Sequence, residues 1–256
     1  MSASERPAAS MRALLTLALP MVLARATQAV VGATDALFTS RLGNDELTAT
    51  TTGAINTFAL IVLPMGTVFI VQSFASQLRG KGALADARRY AWYGLAIAAL
   101  AALIALASIP LVGPLLGLVY DGRVHELMTD YIAIRLLSVG GAVGTEALGN
   151  WYGGLGNTWM QMVAGLITMA SNVVLAWAMI FGHLGMPAMG VAGAAWASVI
   201  ATWLGTAFLG LAFTLGWGIP VGARVRAGHL SRAELAKVVR FGLPNGVNWF
   251  LEFAAF

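Results

Sequence analysis

The sequence predicts an all-α integral membrane protein: a six-helix transmembrane lobe followed by the start of a seventh helix. Three observations predict it. Of 256 residues, 59% are hydrophobic and only 10% are charged, with a mean hydropathy of +0.79. An average globular chain is roughly 25% charged, so too few charges remain here to coat a water-facing surface. Apolar runs of about 20 residues, the length that spans a bilayer, recur with short polar breaks between them. Basic residues gather in alternate breaks, as in a chain threaded back and forth through a membrane.

The same composition excludes other classes. There are no cysteines, hence no disulfide framework and no zinc site of the Cys type. The apolar content is too high for disorder. Backbone groups cannot stay unpaired in hydrocarbon, which leaves helices or a closed barrel. Barrel strands of about 10 residues with alternating polarity are not what these runs resemble.

Span one is expected near Ala13–Thr39, with residues 1–12 as an N-terminal arm. It is too long for the apolar region of a signal peptide, and it carries Arg25 and Asp35, so it reads as a retained helix. Spans two and three are expected near Leu47–Ser76 and Tyr90–Leu118. Span four is placed near Tyr131–Gly153, span five near Thr158–Phe181 and span six near Met189–Leu215. Together residues 13–215 would form one bundle. Residues 216–240 form a linker, because Gly216, Gly218, Pro220 and Gly222 break the sixth run. Within it, Ser231-Arg-Ala-Glu234 has the capping-box pattern, so a helix should restart there and feed a seventh span over 241–256.

Orientation follows from the loops. Eleven of the fifteen Lys and Arg residues fall on one side, among them Arg6, Arg79, Lys81, Arg88, Arg89, Arg224 and Arg226. The opposite loops hold Arg41 and Arg123 against Asp45, Glu46, Asp121, Glu126 and Asp130. The rule that basic loops stay inside places the N-terminus in the cytoplasm, and the chain is expected in the cell (inner) membrane. Topology accounts for these charges without a nucleic-acid partner. The Arg79–Arg89 cluster could also touch anionic lipid.

Ionisable residues inside the spans come next, since charges at depth cost kilocalories and face a cavity or a partner. Met21, Arg25, Gln28, Gly32, Asp35 and Thr39 share one face of span one, a polar stripe on an apolar helix. The stripe suggests a wet lining; the plainer reading of Asp35 is an interfacial cap. Arg25 lies roughly 15 Å from Asp35 by helix rise, too far to pair, and could instead line a vestibule or meet Glu146. Glu146 and Asn150 stand one turn apart on span four. Glu146 could carry a proton, or simply hold two helices together. Glu252 lies on span seven with Asn248 on its face and Asn245 upstream. Arg135, near the end of span four, is expected to snorkel. Asn56, Gln72 and Asn172 read first as interhelical glue. Gly140, Gly144, Gly149 and Gly153 suggest close helix packing, and Gly153-Gly154-Leu155-Gly156 a tight hairpin rather than a phosphate loop. His125, His183 and His229 do not cluster, and no nucleophile stands near a base, so neither a metal centre nor an enzyme is expected.

A short internal match supports a transporter. Ala18-Leu19-Pro20 and Gly242-Leu243-Pro244 each precede a polar residue, Gln28 or Glu252, by eight positions from the proline. The second copy falls after six spans, as a parallel repeat of a transporter would.

Four ordered stretches carry a resemblance to a known family. They are Leu17-Ala-Leu-Pro20 with Ala33-Thr-Asp35 and Arg41-Leu-Gly43, then Gly154-Leu-Gly-Asn-Thr158. Next come Ser171-Asn172-Val-Val-Leu175 with Ile180-Phe-Gly182, Gly185-Met-Pro187 and Gly190-Val-Ala-Gly193, and last Phe241-Gly-Leu-Pro244 through Leu251-Glu252. The chain resembles the multidrug and toxic compound extrusion (MATE) transporters, most closely the NorM-like branch. The resemblance implies two six-helix lobes around a central cavity, of which this chain is expected to be the first lobe, the linker and the start of helix seven. It implies antiport of organic cations, drugs or other amphiphiles against Na+ or H+, with no cofactor. Its partners would be membrane lipid, these small molecules and the missing C-terminal lobe. Asp35 and Asn172 match the family's N-lobe ion site and Glu252 its seventh-helix glutamate, so Na+ is expected at Asp35 or Glu252 if anywhere. Ala176 stands where members carry Asp or Asn, and Glu146 or Arg25 is the expected compensation. The cavity would be lined by Gln28, Arg25, Asn56 and Asn150. A flippase of the same superfamily and a non-transporting half-protein are the alternatives.

Overall fold

The computed structural model describes residues 11–220 and 229–255. Arg6, Arg224 and Arg226 of the charge argument lie outside the described residues, as does Gly222. Among the described residues the chain is helical: α1 Met11–Thr39, α2 Asn44–Val68, α3 Ile70–Gly80, α4 Leu84–Leu116, α5 Gly122–Leu136, α6 Val139–Gly154, α7 Trp159–Phe181, α8 Gly190–Leu215 and α9 Arg232–Ala254.

Two expected spans are interrupted. Span two divides into α2 and α3 at Phe69 alone, which keeps helical dihedrals (φ −56°, ψ −31°), so Asn44–Gly80 still runs as one span. Span four divides into α5 and α6 with a bend of 45°. Ser138 stands at the second break. Its hydroxyl donates to the Arg135 carbonyl (2.7 Å) and competes with the helical pattern there. The freed carbonyl of Leu137 then accepts from the indole N–H of Trp203 on α8 (3.0 Å), so the bend leaves no orphan at that point.

Among the described residues four helices are long and apolar enough to cross a membrane: α2–α3 taken together, α4, α7 and α8. The bent pair α5–α6 makes a fifth if counted as one span. Of the six spans and a fragment expected, α9 (23 residues) falls outside this set, and several side chains at the apolar start of α1 lie outside the described residues. Arg232, Glu234, Lys237, Arg240 and Glu252 dilute α9.

α6 is the centre of the bundle. Almost every residue from Val139 to Gly154 is buried. Its glycines serve different neighbours: Gly140 lies against Ala102 of α4, Gly144 near Thr206 of α8, Gly149 against Gln161 of α7 and Gly153 near Gln72 of α3. Small residues let backbones approach where lipid gives no hydrophobic push between helices. α9 packs along α2 by the same device, Gly66 crossing Gly246, and Asn245 donates to the Gly66 carbonyl (2.7 Å). Gly182 and Gly216 end α7 and α8 in the left-handed conformation (φ 78° and 75°) that favours glycine.

A helix restarts within residues 216–240, at the Ser231–Glu234 pattern. α9 begins at Arg232 and runs unbroken through Phe241. Ser231 is its N-cap, but its side chain makes no capping bond. Tyr93 of α4 stands between the two ends of the expected box instead. Its hydroxyl accepts from the Ser231 N–H (2.8 Å) and donates to Glu234 (2.8 Å), joining the start of α9 to the first lobe.

Candidate functional site

Two polar clusters occupy the interior, separated along α1. The first sits close to the C-terminal end of α1, where that helix packs on α7 and α8. Asp35, Asn172 and Ser198 are all buried there. Ser198 Oγ donates to Asp35 Oδ2 (3.2 Å) and accepts from Asn172 Nδ2 (3.0 Å). A hydroxyl has one proton to give and two lone pairs, so it serves both neighbours. Asp35 Oδ1 and Asn172 Oδ1 remain buried without a hydrogen-bond partner among the described residues. Two orphaned acceptor oxygens and a hydroxyl from three helices suit a proton or a hard cation, which takes oxygen ligands.

Sequence reasoning did not find Ser198. It lies in an apolar run with no charge nearby, and only the packing of α8 against α1 and α7 brings it to Asp35. Ala176, buried one turn from Asn172, brings no oxygen, and the third polar group of this cluster comes from α8 rather than from Glu146 or Arg25. Arg135 is half-buried near the end of α5, and its Nε is buried without a hydrogen-bond partner among the described residues.

The second cluster joins α1 to α6. Arg25 Nη2 donates to Glu146 Oε1 (2.7 Å) and Nη1 to Oε2 (3.3 Å), a two-pronged pair of the kind a planar guanidinium favours. Asn150 adds a third bond to Glu146 Oε1 (3.0 Å). Each charge therefore satisfies the other, which is why neither reaches the Asp35 cluster. The guanidinium also stands over the Trp249 ring of α9, 5.9 Å from its centroid. Beside it lies a hollow of about 240 Å³ lined by Met21, Val22, Arg25, Phe69, Asn150 and Gln161.

The remaining expected site residues are elsewhere. Glu252 is exposed on α9 and accepts from Asn248 (2.7 Å), joined to neither cluster. Gln28 is exposed on α1. Asn56 turns its amide to Met128 Sδ of α5 (3.8 Å) and takes no part in the hollow. Among the described residues no group of three or more His, Cys, Asp or Glu could hold a metal ion.

The described residues form an apolar helical bundle with two small polar clusters inside it. The chain belongs to the MatE family, whose model matches residues 20–178. Members of that family are transporters, not enzymes. The chain is 30% identical to the probable multidrug resistance protein NorM of Chromobacterium violaceum, over 97% of this chain and 54% of that protein. It is 29% identical to the multidrug resistance protein PmpM of Pseudomonas aeruginosa, over 97% of this chain and 53% of that one. Its fold matches an outward-facing multidrug resistance MATE family transporter of the MOP superfamily with a TM-score of 0.81, at 22% identity, over 93% of this chain and 52% of that chain. The chain thus spans about half the length of the curated relatives it matches.

Proposed function

We propose that this chain is the N-terminal lobe of an efflux transporter that exchanges organic cations or other amphiphilic compounds for Na+ or H+. The observation that carries the reading is the Asp35–Ser198–Asn172 cluster with its two orphaned oxygens. It sits where α1, α7 and α8 meet, so a cation or proton held there changes how α1 packs on its neighbours. A ligand shifts a conformational equilibrium only by binding one state better than the other, and a site shared among three helices meets that condition when α1 moves. In the proposed orientation the N-terminus and the α6–α7 hairpin are cytoplasmic and Asp35 lies toward the outer side of the inner membrane. Ion occupancy of Asp35 would then favour release of the substrate outward. The second lobe would complete the cavity that the exposed polar face of α1 borders.

The pairing of Arg25 with Glu146 disfavours the flippase alternative. A pyrophosphate needs uncompensated positive charge, and this guanidinium already has a carboxylate on both prongs. The test is dye export by the intact protein in proteoliposomes, with Na+ and pH gradients imposed separately. Asp35→Asn is expected to abolish export under the gradient that drives the wild type. Export at the wild-type rate by that variant overturns the assignment of Asp35.

A further inference from the structure

We propose that Glu146 is the anionic half of a recognition subsite for organic cations, and that Arg25 is a built-in cation that occupies it until a substrate takes its place. The pair is asymmetric. The side chain of Glu146 is 6% exposed, whereas that of Arg25 is 50% exposed. A buried ion pair that served only to join helices would enclose both partners, because each pays for its lost water only through the other. Here the carboxylate is fixed from below by Asn150, one turn along the same helix, and keeps one bond when the guanidinium leaves. The guanidinium reaches it from a half-open position and borders the hollow of about 240 Å³.

The surroundings name the class of occupant. The Phe69 and Trp249 rings lie against each other (centroids 5.4 Å apart), and Arg25 already uses the Trp249 ring as a cation–π partner. Met21, Val22 and Phe69 give the hollow an apolar wall, Trp249 lies against Phe69, and the one carboxylate, Glu146, is held by Arg25 and Asn150 of the lining. That combination suits a cation with delocalised or shielded charge and a hydrophobic body, which loses little hydration on entering and gains from the ring faces. A small, strongly hydrated cation such as Na+ lacks oxygen ligands here beyond Glu146 and the two amides, Asn150 and Gln161. Trp249 belongs to α9 and Glu146 to α6, so exchange at this subsite also changes a contact across the junction between the first lobe and helix seven.

This subsite rests on the reading of the protein as a carrier of organic cations, and its test is kept separate from that of ion coupling. The intact protein in detergent, without any ion gradient, is titrated with tetraphenylphosphonium and with tetraphenylborate, an anion of the same shape. Arg25→Met should tighten tetraphenylphosphonium by about tenfold, the worth of one charge-assisted bond no longer competed for, and leave tetraphenylborate no tighter. Glu146→Gln should weaken tetraphenylphosphonium by a similar factor. Unchanged or weaker tetraphenylphosphonium binding by folded Arg25→Met overturns the proposal, as does unchanged binding by Glu146→Gln. Should Arg25→Met fail to fold, Arg25→Lys keeps the charge without the fork and should tighten binding several-fold; no tightening overturns the proposal equally. A protein that behaves as expected here but drives no export under either gradient would refute the antiport reading and leave the subsite standing.

Discussion

The Ser198 hydroxyl meets Asp35 Oδ2 at 3.2 Å although 163 positions separate the two residues in sequence. Through this one oxygen, α8 is tied to α1 and, by the second bond to Asn172, to α7. Nothing about Ser198 in isolation marks it out. Its importance is entirely that of the place where three helices converge on a buried carboxylate.

Ser198→Ala removes the donor to Asp35 and the acceptor for Asn172 together. A buried polar group left unpaired costs about 1–3 kcal/mol. The variant should lower the thermal midpoint of the intact protein and reduce ion-driven export, while Ser198→Thr, which keeps the hydroxyl, retains most of both. Equal loss in the two variants would show that volume rather than the hydroxyl matters at this position.

The crossing of α2 and α9 makes a second prediction. A Cβ placed on Gly66 would stand 2.7 Å from the Gly246 Cα, and one on Gly246 would strike the Leu63 carbonyl. Gly66→Ala and Gly246→Ala should each lower stability by about 1–3 kcal/mol, the usual cost of overpacking. Because both disturb one contact, the double variant should cost less than the two added. Gly210→Ala on α8, where a Cβ meets nothing within 4 Å, is the control and should be neutral or mildly stabilising.

Tyr93→Phe tests how α9 is anchored. The substitution deletes both hydrogen bonds of the hydroxyl, to the Ser231 N–H and to Glu234, and keeps the ring. Hydrogen exchange at the amides of residues 231–235 should speed up by about tenfold, as expected for the loss of roughly 1.4 kcal/mol from a local opening. Unchanged exchange would mean that the ion pair between Arg89 of α4 and Glu234 (3.9 Å) holds the helix start by itself.

Much of the fold was legible in the sequence because the bilayer acts on composition directly. Apolar runs must pair their backbone internally, which gave helices, and their lengths gave the spans. The four glycines of span four correctly pointed to close packing, and Gly156 does turn the α6–α7 hairpin with φ 77°. The breaks at Phe69 and at Leu137–Ser138 were not legible. At the second, Trp203 of another helix donates to the freed Leu137 carbonyl, a partner that the local sequence does not name. Ser231 and Glu234 likewise marked the helix start, but not that Tyr93 would take the bonds between them.

The site divides in the same way. By itself the sequence determined that the chain is a helical membrane protein, and its ordered motifs placed it among the MATE transporters. It also singled out the intramembrane charges, because each is costly enough in an apolar run to stand out one residue at a time. Only the tertiary structure decided how they are used. It joined Asp35 to Asn172 through Ser198, spent Arg25 on Glu146 and left Glu252 on an exposed face. The physical reason is that a charge announces itself by its own desolvation cost, whereas its partner is chosen by the packing of helices far apart in the chain.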